Sequence, residues 1–462
     1  MAQWQRSGGR PGWRLRGGAV ALAAALLAAC GGGDDGGGAV SPPAACSVAD
    51  QQQWLGRYMD DWYFWYRLSP RPDPSAYADV ESYFQALLYT GSDPAFPADR
   101  WSRSEDTTSF DRFYGEGRTL GYGVSVAGLE VEGQPTQPLY VRHVEPLSPA
   151  AALGVQRGDE VLAIDGRSAA EIIASNDFSG LTAEAEGEPM TLVLRRNGVP
   201  RTVTVIAAVY TLTPVSGTAV LTTAAGRRLG YLTVKDMISQ ALAPMETAFA
   251  RLKAEGVDDV VLDLRYNGGG LVSTGGTLAS YVAGASAGGR RYATLLYNDK
   301  QTDSNQTFRF STPTSALGLP RVVVLTGRRT CSASEQVING LRGVGVDVVA
   351  IGETSCGKPV GSLPIDACGR TYSAINFESV NDRNEGRYFD GFDATCPVAE
   401  DFTAVQGSVD DPLMAAAIHF ADHGDCPVTL SAQAARKRAL SAPAPRGAAG
   451  PEGDERGGMI PR

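Results

Sequence analysis

Histidine is scarce. The 462 residues hold three, His143, His419 and His423, so a hydrolase built on a Ser–His pair has few places to be assembled. A surplus of positive charge is also missing. Lys and Arg total 41 against 51 Asp and Glu, a net charge of −10, which argues against nucleic acid as a partner because a phosphate backbone needs a basic face. No Cys-x-x-Cys pair occurs among the seven cysteines; no metal site and no cofactor are therefore expected. The apolar run at residues 19–29 falls short of the about 20 residues a membrane-spanning helix requires.

What is present is a soluble composition, 43% hydrophobic with 8% aromatic residues, over a length that implies two or three domains. The first thirty residues read as an address. Arg6, Arg10, Arg14 and Arg16 precede "AVALAAALLAA", and the run ends in "LAAC" at Cys30. This resembles a bacterial lipoprotein signal, which implies acylation of Cys30 and anchoring in the cell envelope. Gly31 after the cysteine leans that anchor toward an outer membrane, facing the periplasm. Residues 31–45, rich in Gly and Asp, read as a flexible tether. Six cysteines remain after Cys30. An even count in an exported chain suggests disulfides, and the expected pairs are Cys356–Cys368 and Cys396–Cys426.

Residues 46–110 form a helical segment in which Trp54, Leu55, Tyr58, Met59 and Trp62 recur at helical spacing. Residues 118–210 follow another pattern: short strands, a Gly-Asp turn, and a hairpin about Asn197-Gly198. "SPAAALGVQRGDEVLAIDG" (148–166) resembles the most characteristic segment of a PDZ domain. That resemblance implies a carboxylate-binding loop at Leu120, Gly121, Tyr122, Gly123 and Val124, and capture of peptide C-termini by strand addition.

Residues 211–430 alternate apolar strands with helical stretches, the signature of parallel β–α–β units buried on both faces. Three loops at the carboxyl ends of such strands carry unusual chemistry: "RYNGGG" (265–270), "RRTCSASE" (328–335) and "ETSCGKP" (353–359). Successive right-handed crossovers would bring them to one edge. "SASE" reads as a helix cap, with Ser332 at the N-cap and Glu335 reaching back. The same position suits a nucleophile, because the Ala333 N–H at the helix start is placed to stabilise an oxyanion. Gly268, Gly269 and Gly270 allow close backbone approach. Lys358, between Gly357 and Pro359, would serve as a base if burial lowered its pKa from ~10.4 to near neutrality, at roughly 4 kcal/mol. A Ser–Lys dyad needs no histidine. Residues 431–462, rich in Ala, Pro and Arg, read as a disordered tail.

"DLRYNGGG", "CSASE" and "GETSCGKPVG", in this order and with a preceding PDZ, resemble the carboxyl-terminal processing proteases, tail-specific serine endopeptidases. The resemblance implies an α/β fold, a crotonase-like/ClpP-like core with an inserted PDZ domain. It also implies Ser332 as nucleophile, Lys358 as general base, and oxyanion donors among Gly269, Gly270 and Ala333. The substrates would be unstructured exported proteins with free C-termini; the oligomeric state is left open. Where the family carries a glutamine that orients the lysine, this chain has Ser362. That departure favours a second reading, a weakly active or inactive binding protein of the same fold. An esterase is a third. A free Cys331 nucleophile is disfavoured by the lack of a neighbouring histidine.

Overall fold

The computed structural model describes residues 42–43, 45–427 and 458–461. Cys30 and the signal-like run before it, and residues 428–457, lie outside the described residues. Among the described residues no helix is long and apolar enough to cross a membrane.

Strands Arg228–Val234, Asp259–Asp263, Arg321–Thr326, Asp347–Gly352 and Cys396–Pro397 lie side by side and parallel. Val215–Thr222 runs antiparallel beside the first of them. Side chains alternate along each strand, as a two-sided buried sheet requires. Val260, Leu262, Val322 and Val324 join the large core with Met245, Phe249, Leu278 and Val337 from three helices. Val261, Val323, Leu325, Val349 and Ile351 face the other way, against Leu413, Met414 and Ala417 of helix Pro412–His423. A second sheet, antiparallel, orders Gln306–Arg309, Arg291–Tyr297, Ile375–Val380 and Val360–Ser362.

The N-terminal helices share this large core. Trp54, Leu55, Tyr58, Met59 and Trp62 are buried in it together with Tyr372 and Phe377. Asn376 Nδ2 donates to Trp62 O at 3.0 Å, and the Phe64 N–H donates to Ile375 O at 2.8 Å. Cys46 is bonded to Cys368, 322 residues away. The expected Cys356–Cys368 pair is therefore corrected: Cys331 bonds Cys356, and Cys396 bonds Cys426 as expected. Nearness in sequence favoured the wrong partner, whereas packing of the first helix against the strand Arg370–Ser373 brings Cys46 in.

Residues 122–207 close a core of their own around Val126, Leu139, Val141, Met190, Leu192 and Leu194. Their sheet runs Val124–Val126, Leu139–Val144, Glu160–Ile164, Pro189–Arg196, Val199–Ile206, with Val124–Val126 at its edge. The hairpin turns on Asn197 and Gly198, both at positive φ (51° and 79°), as the two-residue turn demands.

One correction concerns the end of the sequence. Gly458–Pro461, placed by composition within a disordered tail, includes a strand: Met459 and Ile460 pair in parallel with Gly270 and Leu271. Both side chains are buried.

Candidate active site

The three loops meet at one edge because their strands are neighbours in the parallel sheet. Strand Asp259–Asp263 pairs with Arg321–Thr326, and that strand pairs with Asp347–Gly352. Each loop therefore leaves the sheet beside the next.

Ser332 sits at the start of helix Ala333–Gly343 with φ 60° and ψ −118°, a backbone conformation that costs a non-glycine residue about 1–3 kcal/mol. Its Oγ is buried and has no hydrogen-bond partner. The Ser332 N–H donates to Glu335 Oε2 at 2.9 Å, the Glu335 arm of the expected capping box.

Glu335 does more than cap. Its Oε2 also accepts the Lys358 N–H at 2.8 Å. Its Oε1 accepts the Gly357 N–H at 2.8 Å and the Ser355 hydroxyl at 2.6 Å. One fully buried carboxylate therefore fixes the backbones of Ser332 and Lys358 to each other. Burial pushes this carboxyl upward, and its four donors pull against that. The Cys331–Cys356 disulfide, with Cα atoms 5.2 Å apart, clamps the same two loops covalently and removes Cys331 as a free thiol.

Lys358 is 5% exposed. Burial pushes its amine down to about 7; nearby Arg103 adds to the drop, and Asp99 and Glu335 oppose it. Among the described residues, no hydrogen bond joins Lys358 Nζ to Ser332 Oγ or to Ser362. Ser362 is buried, in the strand Val360–Ser362, four residues past the lysine.

On the other side of Ser332 lies the glycine loop. Asn267 Nδ2 donates to Val234 O at 2.9 Å, and its Oδ1 accepts the Gly269 N–H at 2.8 Å. The Gly269 N–H is therefore engaged, and the Gly270 N–H is the one aimed outward. It donates to the carbonyl oxygen of Gly458 at 2.5 Å. A Cβ placed on Gly269 would lie 2.3 Å from that oxygen, 2.9 Å from the Ala333 nitrogen and 2.9 Å from Ser332 Cβ. The carbonyl, the helix N-terminus and the serine thus converge beside a residue that must be glycine. Gly270, at φ 137°, is equally constrained, since a Cβ there would stand 2.2 Å from Met237 O. A backbone N–H on a carbonyl oxygen, with a helix start and a serine alongside, is the material from which an oxyanion site is built.

The loop Leu120–Val124 passes from a two-stranded sheet, at Leu120 and Gly121, into the edge of the six-stranded one, at Val124. Leu120 and Gly121 pair with Val209 and Ala208, and Val124 pairs with Val144. Tyr122 O accepts the Ala150 N–H at 3.0 Å, and Gly123 O accepts the Glu145 N–H at 2.9 Å. Gly123 has φ 78°, and a Cβ there would overlap Ser148 at 1.9 Å, so the turn requires glycine. Gly121, Tyr122, Gly123 and Val124 are buried.

Two bridges, neither legible in the sequence, tie this sheet to the site. Arg157 donates to Tyr266 Oη at 2.5 Å and to Glu400 Oε1 at 2.8 Å. Arg265, beside Tyr266, is 1% exposed and bonds Asp263, Glu400 and Asp411. Arg328, four residues before Ser332, donates to Leu129 O at 2.7 Å, and Arg329 pairs with Glu130.

The three histidines lie elsewhere. His143 meets Glu145 at 3.3 Å, and His419 meets Asp425 at 3.0 Å. The metal expectation also took a His-x-x-x-His spacing to be absent, which is corrected: His419 and His423 stand four apart on one helix, with rings 4.4 Å apart. Cys331, Glu335 and Cys356 cluster closely enough to hold an ion, but the disulfide leaves no thiolate to bind one.

Comparison with known proteins agrees with this architecture. The profile of peptidase family S41 matches residues 228–389, that of the peptidase S41 N-terminal domain residues 50–103, and that of a PDZ domain residues 140–196. The chain is 28% identical over 263 residues to the chloroplastic C-terminal processing peptidase of Tetradesmus obliquus, covering 53% of each. It is 28% identical over 267 residues to a carboxyl-terminal-processing protease of a Picosynechococcus strain, covering 55% of this chain and 60% of that one. The chain thus spans little more than half the length of these curated relatives. Among solved structures, a putative S41 protease of Bacteroides fragilis aligns with a TM-score of 0.61 at 22% identity, covering 80% of this chain and 96% of that one. The photosystem II D1 C-terminal processing protease aligns with a TM-score of 0.51 at 21% identity, covering 80% and 97%. The mixed α/β fold with its PDZ sheet is shared with these solved structures, and residues 50–103 and 228–389 of this chain are similar to the two segments that define peptidase family S41.

Proposed function

We propose that the protein is a serine endopeptidase in which Ser332 attacks a peptide carbonyl and Lys358 takes its proton. The observation that carries this reading is the shared anchor Glu335, which holds the backbone of Ser332 to that of a buried lysine whose amine is pushed down to about 7. A neutral amine near physiological pH is what a general base requires. Gly270 and Ala333 would receive the oxyanion, and the acyl-enzyme would then be hydrolysed by water. The relatives' names point to processing of carboxyl termini. By the same reading the loop Leu120–Val124 and the edge strand Val124–Val126 capture the free C-termini of unstructured protein substrates. The bridges through Arg157, Arg328 and Arg329 would report that capture to the glycine and serine loops. Cys30 would carry the lipid that holds the enzyme at the cell envelope. Loss of palmitate incorporation in Cys30→Ala checks that part, and unchanged incorporation contradicts it.

The test of the activity is casein hydrolysis. Ser332→Ala and Lys358→Ala should abolish turnover while circular dichroism stays unchanged. Turnover surviving either change contradicts the dyad. Two observations favour a non-catalytic binder: Ser332 Oγ is unpartnered, and Ser362 stands where an orienting glutamine is expected. That alternative predicts peptide binding with no hydrolysis by the unaltered chain.

A further inference from the structure

The segment Gly458–Pro461, with its strand Met459–Ile460, lies extended beside the glycine loop. On one side it pairs in parallel with Gly270 and Leu271. On the other, the Met459 carbonyl oxygen comes within 2.5 Å of where a Cβ on Gly361 would stand, beside the lysine-bearing loop. Met459 Sδ accepts from Gln336 Nε2 at 3.5 Å, one turn along the helix that starts at Ser332. Ile460 is buried against Phe110, Tyr114, Leu212 and Leu271. The strand is therefore bound by backbone on one edge and by apolar pockets through alternate side chains, which is how extended peptides are recognised. Its register matters most. The carbonyl that meets the Gly270 N–H, and that shares the space beside Ala333 N and Ser332 Cβ, is that of Gly458.

We infer that Gly458–Pro461 is a built-in substrate of this protein, cut in cis by Ser332 at the Gly458–Met459 bond, and that until it is cut it closes the cleft to other peptides. The inference rests on the peptidase reading above. Ser332 Oγ adds to the Gly458 carbonyl carbon while its proton passes to Lys358 Nζ. The C–N bond to Met459 breaks, and that proton goes to the Met459 nitrogen, which leaves as an amine. Water then hydrolyses the Gly458 ester, restoring Ser332 and leaving a chain that ends in the Gly458 carboxylate. The residue on the acyl side is small, and a Cβ on Gly458 would meet Tyr114 Oη at 3.6 Å and Arg103 Nη2 at 3.8 Å. That is room for alanine, so the site selects Gly or Ala there.

The experiment is intact-mass spectrometry of the full chain over time, with casein turnover followed in the same samples. Wild type is expected to lose every residue from Met459 onward, at a rate independent of protein concentration, with casein turnover rising as the shortened form accumulates. Ser332→Ala should keep those residues. Ile460→Asp, which expels the strand by burying a charge in its pocket, should abolish the cut and the lag, raising the initial casein rate about tenfold because a tethered competitor acts at millimolar effective concentration. If wild type digests casein without a lag while its mass stays unchanged, the inference is overturned and the peptidase reading stands. If Ser332→Ala chains are cut as fast when mixed with wild type, the cis assignment is overturned. If wild type cuts neither casein nor itself, the peptidase reading is overturned and the inference falls with it.

Discussion

The two sides of the cleft around Ser332 are built from different material. The side proposed to receive the oxyanion is backbone: Asn267 fixes the glycine loop by two hydrogen bonds, the helix start supplies Ala333, and a carbonyl already sits at the Gly270 N–H. The side proposed to take the proton is a flexible side chain. Lys358 has its backbone held by Glu335, yet no hydrogen bond joins its amine to Ser332 Oγ. Backbone donors are positioned by the fold itself and need no further ordering. A lysine must lose rotamer freedom to act, and catalytic hydrogen bonds commonly tighten only with substrate bound. The comparison teaches that the first side is preassembled and the second is poised.

The largest effect tests the poised side. Lys358→Ala or Ser332→Ala should lower kcat on casein by roughly 10³-fold or more, since dyad members act as a unit. Next comes the preassembled side. Gly270→Ala forces a Cβ toward Met237 O and displaces the donor, with an expected loss of about 10²–10³ in kcat; kcat within twofold of wild type would contradict the oxyanion assignment. Glu335→Gln tests the link between the two sides. An amide cannot accept from four donors, so each buried N–H left unmet costs about 1–3 kcal/mol. Both Tm and kcat should fall, and a fall in neither would mean that the two loops are held without it.

The pH dependence follows from the direction of the lysine's displacement. Its folded pKa, about 7, lies below the ordinary 10.5, so activity should rise through pH 7 and level off above it. Between these two values the unfolded chain binds more protons, so Lys358 costs stability at pH 6 and progressively less toward pH 10. Lys358→Met should therefore raise Tm more at pH 6 than at pH 10, and a gain that does not vary with pH would contradict the burial argument. The smallest effect belongs to Ser362. Ser362→Ala should change kcat by less than about threefold, because no hydrogen bond joins Ser362 to Lys358. Ser362→Gln, which restores reach toward the amine, should leave kcat equal or higher.

Much of this was legible in the residues because it rests on local physics. Continuous apolar runs gave parallel buried strands, and adjacent parallel strands place their following loops together, so Ser332, Lys358 and the glycines were expected at one edge. The Asn197-Gly198 turn and the aromatic face of the first helix were equally local. What escaped depended on distant partners. Glu335 reads as an ordinary capping residue, and only the fold brings the Gly357 and Lys358 N–H groups to it. Cys46 finds Cys368 across 322 residues, a separation no spacing argument reaches. Met459 and Ile460 stand in a stretch of Gly, Pro and charge that has no strand period, and their strand exists because the edge at Gly270 offers donors to pair with. Gly269 is one of three equivalent glycines in sequence; the Asn267 side chain takes up its N–H and leaves that of Gly270 to meet Gly458.

The most direct test of the central claim is labelling by a fluorophosphonate, which reacts with an activated serine, followed by peptide mapping across pH. The account predicts label on Ser332 alone, at a rate that rises through pH 7 and collapses in Lys358→Ala. Label on another residue, or labelling of Ser332 that is indifferent to Lys358→Ala, would contradict it.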